Sequence, residues 1–190
     1  MTSAYRSLLY LEQIRQANKV VIKPWTGPEG VEHYLEAEHK GRLIQSMKSF
    51  LSSRSLQTTD VFGKRRTLEA LIACILGDLR EKAEHQFGTS IRQAVVGRPV
   101  HFVGSETDED DQYAQGRLEK AFHLAGFESV SFEMEPVAAA HYYESTLDHV
   151  VLEINFGAFE VQQALVVDED LDAAAFHLLI AVTGGFLGEI

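Results

Sequence analysis

Positive charge and cysteine are both scarce in this sequence. Its 190 residues include 17 lysines and arginines against 28 aspartates and glutamates, which gives a formal net charge of −11. A nucleic-acid partner needs a basic surface to neutralise its phosphates, so we expect none. The one dense basic cluster, Lys64, Arg65 and Arg66, is interpreted as a solvated turn before a helix. Cys74 is the single cysteine, which rules out an internal disulfide and fits a reducing compartment.

Long apolar runs are absent as well. The longest strongly apolar piece, AAAFHLLIAV at residues 173–182, is far shorter than the roughly 20 residues that a membrane span needs. The start, MTSAYRSLLYLEQIRQ, carries charges within its apolar part and does not resemble a signal peptide. We therefore expect a cytoplasmic protein with no membrane partner.

Several motifs that carry chemistry are also missing. The chain has no glycine-rich phosphate loop, no H-E-x-x-H or paired-cysteine metal spacing, and no G-x-S-x-G elbow. The acidic run at residues 106–111 lacks the EF-hand glycine and spacing, which favours a solvated loop. Glu133, Glu135 and His141 could be imagined as metal ligands, but solvated carboxylates are the commoner outcome. We expect no metal site.

The first third of the chain reads as helical and irregular. Leu8, Leu11 and Ile14 have helical spacing, and Pro24 would end the short extended run KVVIKPW. The clearest helix begins after Thr67, an expected N-cap with Cys74 beside the apolar stripe as a packed core thiol. The predicted helices cover residues 3–17, 31–37, 41–53 and 68–87, the last stopped by Gly88.

After Gly88 the pattern alternates between strands and helices. Strands are predicted within 93–104, broken at 97–99, and at 129–135 and 149–156; helices are predicted at 113–127, 136–145 and 168–182. Residues 159–167 could add a strand antiparallel to the one before. Such alternation predicts an α/β fold with a mostly parallel sheet that holds the three strands. We expect residues 1–90 to form a mainly helical part packed on this sheet and residues 91–190 to form the α/β lobe, the two making one continuous domain.

Glu135 stands at the junction of a predicted strand and a predicted helix, in the stretch FEMEPVAAA. Open α/β sheets present ligand-handling groups at such junctions. Pattern alone therefore singles out Glu135 and names no reaction.

Three motifs in order resemble the seventy-kilodalton heat-shock (DnaK-like) chaperones of the actin-like ATPase superfamily. They are AVVGRPVHF at 94–102, a helix ending in LAGF at 124–127, and EPVAAA at 135–140. The resemblance extends upstream to GRLIQSMKSFL and LGDLREKAEHQFG and covers about residues 40 to 157. It implies an actin-like (ribonuclease-H-like) lobe, incomplete relative to the family, taken from the nucleotide-binding domain, with ATP and magnesium as the family's ligands.

The resemblance also implies roles for individual residues. Glu135 occupies the position of the glutamate that helps to organise the magnesium and the attacking water. Lys48 resembles the lysine that contacts the γ-phosphate, and Pro99 resembles the proline proposed to relay nucleotide state between domains. A cation and an acceptor for the nucleophile are what phosphoryl transfer requires.

Several family features are altered. The family's second phosphate loop reads approximately D-[IL]-G-G-G-T, whereas residues 155–160 here read NFGAFE. Asn155 replaces the acidic residue and Gly157 alone of the glycine triplet remains. Phe159 would block the approach of phosphate to the backbone, and Glu160 would repel it. The arginine expected on the crossover helix aligns with Gln115.

Whole segments of the family are also expected to be missing from this chain. The first phosphate loop of the family is a strand-turn-strand, whereas this chain is expected to begin with a helix. The 190 residues leave no room for the second lobe or a peptide-binding domain. We therefore expect a reduced or truncated relative without ATPase activity, acting as an interaction or regulatory module. The alternative is an ATP-binding chaperone-type protein completed by another chain. The missing N-terminal strands would leave an unpaired sheet edge, which favours a homodimer or a protein partner.

Overall fold

The computed structural model describes residues 5–17, 19–38 and 41–134, together with the backbone of three short strands at 154–155, 163–164 and 178–181. The strands are β1 (Tyr5–Arg6), β2 (Leu8–Gln16), β3 (Lys19–Thr26), β4 (Arg42–Gln45), β5 (Thr58–Val61), β6 (Lys64–Thr67), β7 (Gln93–Arg98), β8 (Ser129–Met134), β9 (Ile154–Asn155), β10 (Gln163–Ala164) and β11 (Leu178–Ala181). The helices are α1 (Gly27–Glu36), α2 (Leu68–Phe87) and α3 (Asp108–Leu124), with a 3-10 turn at Met47–Phe50.

The N-terminal segment is a strand, so the predicted helix over residues 3–17 is wrong. β2 pairs antiparallel with β3 on one side and with β4 on the other. Leu9 and Leu11 join the main core, while Tyr10 on the opposite face contacts Tyr34 of α1, with ring centroids 5.7 Å apart. This alternation with period 2 is that of a strand covered on both faces, and it accounts for the continuous apolar run LLYL.

Two further predictions in the first third need correction. Pro24 does not end the extended run, because β3 is an edge strand of this three-stranded sheet and proline is tolerated there. Within the helix predicted over residues 41–53, β4 occupies Arg42–Gln45 and a 3-10 turn follows. The predicted helix at 31–37 lies within the observed α1 except for its last residue, Ala37, which caps the helix.

The hairpin of β5 and β6 leads into α2. Lys64, Arg65 and Arg66 lie on β6, so the solvated-turn interpretation is wrong about the element and correct about the exposure. Thr67 is the N-cap of α2, with its Oγ1 accepting a hydrogen bond of 3.1 Å from the Ala70 N–H. Gly88 ends the helix in the left-handed conformation at φ 67°. Both end signals of this helix are therefore confirmed.

β7 and β8 are parallel neighbours joined through α3, as the alternation predicts. α3 begins at Asp108, five residues before the predicted start, and includes part of the acidic run interpreted as a loop. Thr107 caps the helix by accepting a hydrogen bond from the Asp110 N–H at 3.2 Å. Four acidic residues in the first turn stabilise the helix because their negative charges interact favourably with the positive end of its dipole.

The expected pairing of the later strands is not found. The described part of the predicted strand at 149–156, β9, pairs parallel with β1 and lies outside the sheet of β7 and β8. Leu178–Ala181, predicted as helix, forms β11 parallel to β7, and β10 pairs antiparallel with β11. The sheet order is therefore β10-β11-β7-β8. The helix predicted at 136–145 lies outside the described residues.

One hydrophobic core spans the described part of the chain. It joins β2, the Lys48 region, α2, β7 and α3, and Cys74 packs against it half-buried, as expected. Burial raises the pKa of the Cys74 thiol, which keeps it protonated at neutral pH. The α/β class is confirmed, whereas the actin-like architecture and the division at residue 90 stay predictions. The largest fully buried side chains of the described residues are Tyr10, Phe102, Phe122, Leu9, Leu51, Ile75, Leu76 and Ile91.

Candidate functional site

The family-like positions are distributed over several elements. Lys48 lies in the 3-10 turn, Pro99 follows β7, Gln115 lies on α3, and the backbone of Asn155 lies in β9. Glu135 and Gly157 lie outside the described residues. Arg98 and Met134 are partners in the β7–β8 register, so the chain leaves both strands at the same edge of the sheet. Pro99 and Glu135 each come directly after these strands in the sequence.

The loop after β7 is tied to α3 by Arg98. Its Nη1 donates to Oε1 of Gln115 at 2.6 Å, and its Nε and Nη2 donate to the carbonyl oxygens of Pro99 and Val100 at 3.1 and 3.0 Å. A guanidinium with planar donors suits such a bridge. Gln115, where the family resemblance leads us to expect an arginine, therefore accepts a hydrogen bond from Arg98.

Asp111, on the first turn of α3, also binds the loop after β7. The buried carboxylate accepts a hydrogen bond from the Phe102 N–H at 2.8 Å and lies 2.6 Å from Nδ1 of His101. Burial raises the pKa of Asp111, but the Phe102 N–H and His101 favour its charged form and bring the pKa below its usual value. The loop at residues 99–106, which we call the Pro99 loop, is thus anchored to α3 at two points.

Arg117 anchors a second segment to the same helix. This segment, residues 46–57, contains Lys48 and is called the Lys48 turn. The Arg117 side chain is 4% exposed, and its Nε donates to Oε1 of Glu69 at 2.7 Å. Its terminal nitrogens donate to four carbonyl oxygens of the Lys48 turn, those of Phe50, Leu51, Ser53 and Leu56, at 3.0 to 3.3 Å.

The two segments also contact each other. The Ser52 hydroxyl in the Lys48 turn donates to the carbonyl oxygen of Val103 in the Pro99 loop at 2.6 Å. The next residue, Gly104, has φ 80°, and a Cβ there would lie 3.1 Å from the Ser52 oxygen. A side chain at position 104 would strain the backbone and crowd this hydrogen bond. The structure therefore brings the segments of Lys48 and Pro99 into one hydrogen-bonded group around α3.

Outside this group, a pocket of about 550 Å³ lies between β2, the end of α1 and the β5–β6 turn. Three carboxylates line it, and Oε2 of one of them, Glu12, accepts a hydrogen bond from Trp25 Nε1 at 3.1 Å. Carboxylates repel phosphate, and no family-like position borders this pocket. Its lining residues are Glu12, Gln13, His33, Glu36, Ala37, Glu38, Gly41 and Phe62.

Residues 5–17, 19–38 and 41–134 contain no group of three or more histidine, cysteine, aspartate or glutamate side chains that could hold a metal ion. None of the described helices is long and apolar enough to cross a membrane.

No protein-family model matches this chain, but it is similar to curated proteins named Chaperone protein HscA homolog. It is 28% identical to that of Rickettsia felis over 124 residues, which cover 63% of this chain and 18% of the relative. The proteins of Rickettsia prowazekii and Rickettsia akari are 29% and 30% identical, again over 63% of this chain and 20% of each relative. The chain thus spans about a fifth of the length of these relatives.

This similarity is partial and weak. It supports a relationship to the seventy-kilodalton heat-shock chaperone family over part of the chain. The resemblance noted from the motifs is to that extent confirmed.

Sequence reasoning overlooked Arg117, Asp111 and Glu69, although a signal for Arg117 was present. Ala114, Leu118 and Ala121 are buried on α3, and Arg117 lies three residues after Ala114 and four before Ala121. That spacing places an arginine on the buried face of the helix, where a charge needs a partner. Its acidic partner, Glu69, is 48 residues away in the sequence and could not be named from spacing alone.

Proposed function

We propose that this chain is a reduced relative of the nucleotide-binding domain of seventy-kilodalton heat-shock chaperones and acts as a non-catalytic interaction or regulatory module. The carrying observation is the sequence NFGAFE at residues 155–160, set beside a similarity that covers 63% of the chain. The β7–α3–β8 unit and the Lys48 turn support the relationship. The family resemblance further implies that two of the three glycines that would let backbone N–H groups approach phosphate are replaced, with Gly157 kept.

ATP and magnesium are the ligands that the family likeness implies, and the residues fit them poorly. Asn155 places an amide where the family resemblance leads us to expect an acidic residue. Glu160 places a carboxylate where it leads us to expect a threonine hydroxyl. The carboxylate of Glu160 opposes phosphate, and the acid-lined pocket does so too. Phosphoryl transfer depends on several groups positioned together, so Lys48 and Glu135 alone would not suffice. We assign this chain no step of ATP hydrolysis.

The start of this chain is extended, so the proposed loss of the family's first phosphate loop rests on the residues of the turn between β2 and β3. β2 and β3 form an antiparallel pair, so a strand-turn-strand is present near the start of the chain. Its last and first paired residues are Gln16 and Lys19, with Ala17 at φ 44° in the turn. The two residues between these strands are Ala-Asn, so the turn lacks the aspartate and the G-T pair of the family's loop. This sequence supports the proposed loss of the first phosphate loop.

The second candidate is an ATP-binding chaperone-type protein that acts with a missing lobe or partner chain. The anchored Lys48 turn favours it, because the segment carrying the family-like lysine is held by a buried arginine. A turnover assay with ATP and magnesium tests the first proposal against the second. We expect background hydrolysis from the wild type and from Glu135→Ala alike; turnover that Glu135→Ala abolishes would contradict the non-catalytic proposal.

We further infer a homodimer in the cytoplasm, with no nucleic-acid or membrane partner. The edge of β7 opposite β8 is not free, because β11 pairs there. The remaining support is β8, which pairs on one side only among the described strands. Unpaired backbone groups on an edge strand favour pairing with another chain.

A further inference from the structure

The Lys48 turn owes much of its conformation to a side chain outside it. Three of its own backbone hydrogen bonds are short-range, from Ser49, Leu51 and Ser53 to carbonyls three residues earlier. The carbonyl oxygens of Phe50, Leu51, Ser53 and Leu56 accept from the Arg117 guanidinium, and that of Phe50 also accepts from the Ser53 N–H. The Leu51 contact is buried and the other three are partly buried. Without Arg117, the carbonyls of Leu51, Ser53 and Leu56 would need new donors or would have to move toward water.

Glu69 keeps the guanidinium in place. It lies in the first turn of α2, is nearly as buried as Arg117, and takes the Nε–H of that residue at 2.7 Å. Burial raises the pKa of Glu69. The hydrogen bond from Arg117 and several smaller interactions together outweigh burial, so the pKa lies below its usual value. The pair is therefore charged at neutral pH, with the remaining Arg117 donors directed at the turn.

We propose that Arg117 is a latch that fixes the Lys48 turn to α3, and that the turn opens as a local unit when this latch is broken. The core does not depend on the latch to the same degree, because α2 and α3 also contribute apolar residues such as Ile75, Leu118 and Phe122 to it. Within the turn, Met47 and Leu51 are buried in the core, whereas residues 53–57 bury no side chain fully. Segments with few buried contacts open at lower free energy than the core, so we expect the opening to begin at residues 53–57.

The latch reaches the family-like lysine in two steps. Arg117 donates to the carbonyl oxygen of Leu51, and the Leu51 N–H donates to the carbonyl oxygen of Lys48 at 3.1 Å. Arg117 is thus a positioning residue for Lys48. This inference holds under either proposed function, since it concerns the position of the turn and not what the turn binds.

Amide hydrogen exchange on the full chain tests the latch, with Arg117→Lys as the variant. A lysine carries three donors on a point charge and cannot reproduce the planar five-donor fork. We expect amides at residues 53–57 to exchange at least about tenfold faster than in the wild type, with those of central α2 and β7 within about twofold. Arg54→Lys is the matched control, because Arg54 lies in the same turn, is half-exposed and pairs with Asp110 at 3.3 Å; its turn amides should stay within about twofold of the wild type.

Unchanged turn amides in Arg117→Lys would overturn the proposal, and so would equal acceleration of turn and core amides or a chain that fails to fold. Glu69→Gln is the second variant. Its amide oxygen can still accept from Nε while the charge is removed, so the turn should exchange faster than in the wild type and more slowly than in Arg117→Lys. A Glu69→Gln chain whose core opens before its turn would also overturn the latch.

Discussion

Gln115 accepts a hydrogen bond of 2.6 Å from Nη1 of Arg98, and this contact occupies the place where the family likeness calls for an arginine on the crossover helix. The guanidinium of Arg98 is committed to the Pro99 and Val100 carbonyls as well. Restoring the family's residue would therefore place two guanidinium groups against each other.

Gln115→Arg should lower the free energy of unfolding by about 1 to 2 kcal/mol through like-charge repulsion at this half-buried position. Gln115→Ala, which only removes the acceptor, should lower it by about 1 kcal/mol. Urea unfolding measures both. A Gln115→Arg chain as stable as the wild type would show that Arg98 can leave its place without loss.

Arg117→Met should be among the most destabilising single changes in the described part of the chain. It leaves Glu69 charged and buried without its partner, which costs about 3 to 5 kcal/mol. Arg54→Met, which removes an exposed ion pair, should cost below about 1 kcal/mol. Adding Glu69→Leu to Arg117→Met should recover part of the loss but not all of it, because the carbonyls of Leu51, Ser53 and Leu56 still lack their Arg117 donors. Equal losses from Arg54→Met and Arg117→Met would contradict this ranking.

Asp111 should give the stability a dependence on acid. Because its pKa is lower in the folded chain than in the unfolded one, its contribution is present above the unfolded value of about 3.9 and is lost as the pH falls through the folded value. Asp111→Asn should be less stable than the wild type near neutral pH, and the gap should narrow on acidification. Unfolding free energies measured from about pH 6 to about pH 3 test the sign. A gap that widens in acid would refute it.

The homodimer inferred from the free side of β8 predicts a mass above the monomer value of 21.2 kDa. Sedimentation equilibrium over micromolar concentrations should show a rise toward twice that mass. Ser131→Lys at an exposed position of β8 would place like charges along the paired edges and should shift the equilibrium toward monomer. A mass of 21.2 kDa throughout the range would defeat the dimer.

Local signals predicted the middle of this fold well. Thr67 and Gly88 bracket α2 with the residue types that helix ends require, and the β7–α3–β8 alternation is confirmed by parallel pairing. The N-terminal strand was missed because Leu8, Leu11 and Ile14 fit a helical spacing while LLYL also fits a strand buried on both faces. The choice between them is made by pairing with β3 and β4 and by packing against α1, contacts that the apolar spacing within residues 8–16 does not reveal.

The roles of the named site residues stay predictions, and the residues that hold their segments in place could not be predicted from the sequence. Motif likeness pointed to Lys48, Pro99 and Gln115, and the structure brings their segments together around α3. The groups that hold them there, Arg117 with Glu69 and Asp111 with Phe102, form over long sequence separations. Such pairs depend on how helices pack, which a single sequence does not specify.

Isothermal titration of the full chain with ATP and magnesium tests the central claim most directly. A non-catalytic relative with replaced phosphate-loop glycines should give no saturable heat up to about millimolar nucleotide, which corresponds to a binding free energy weaker than about −4 kcal/mol. A saturable isotherm near one nucleotide per chain, weakened by Lys48→Ala, would contradict the claim and favour the ATP-binding alternative.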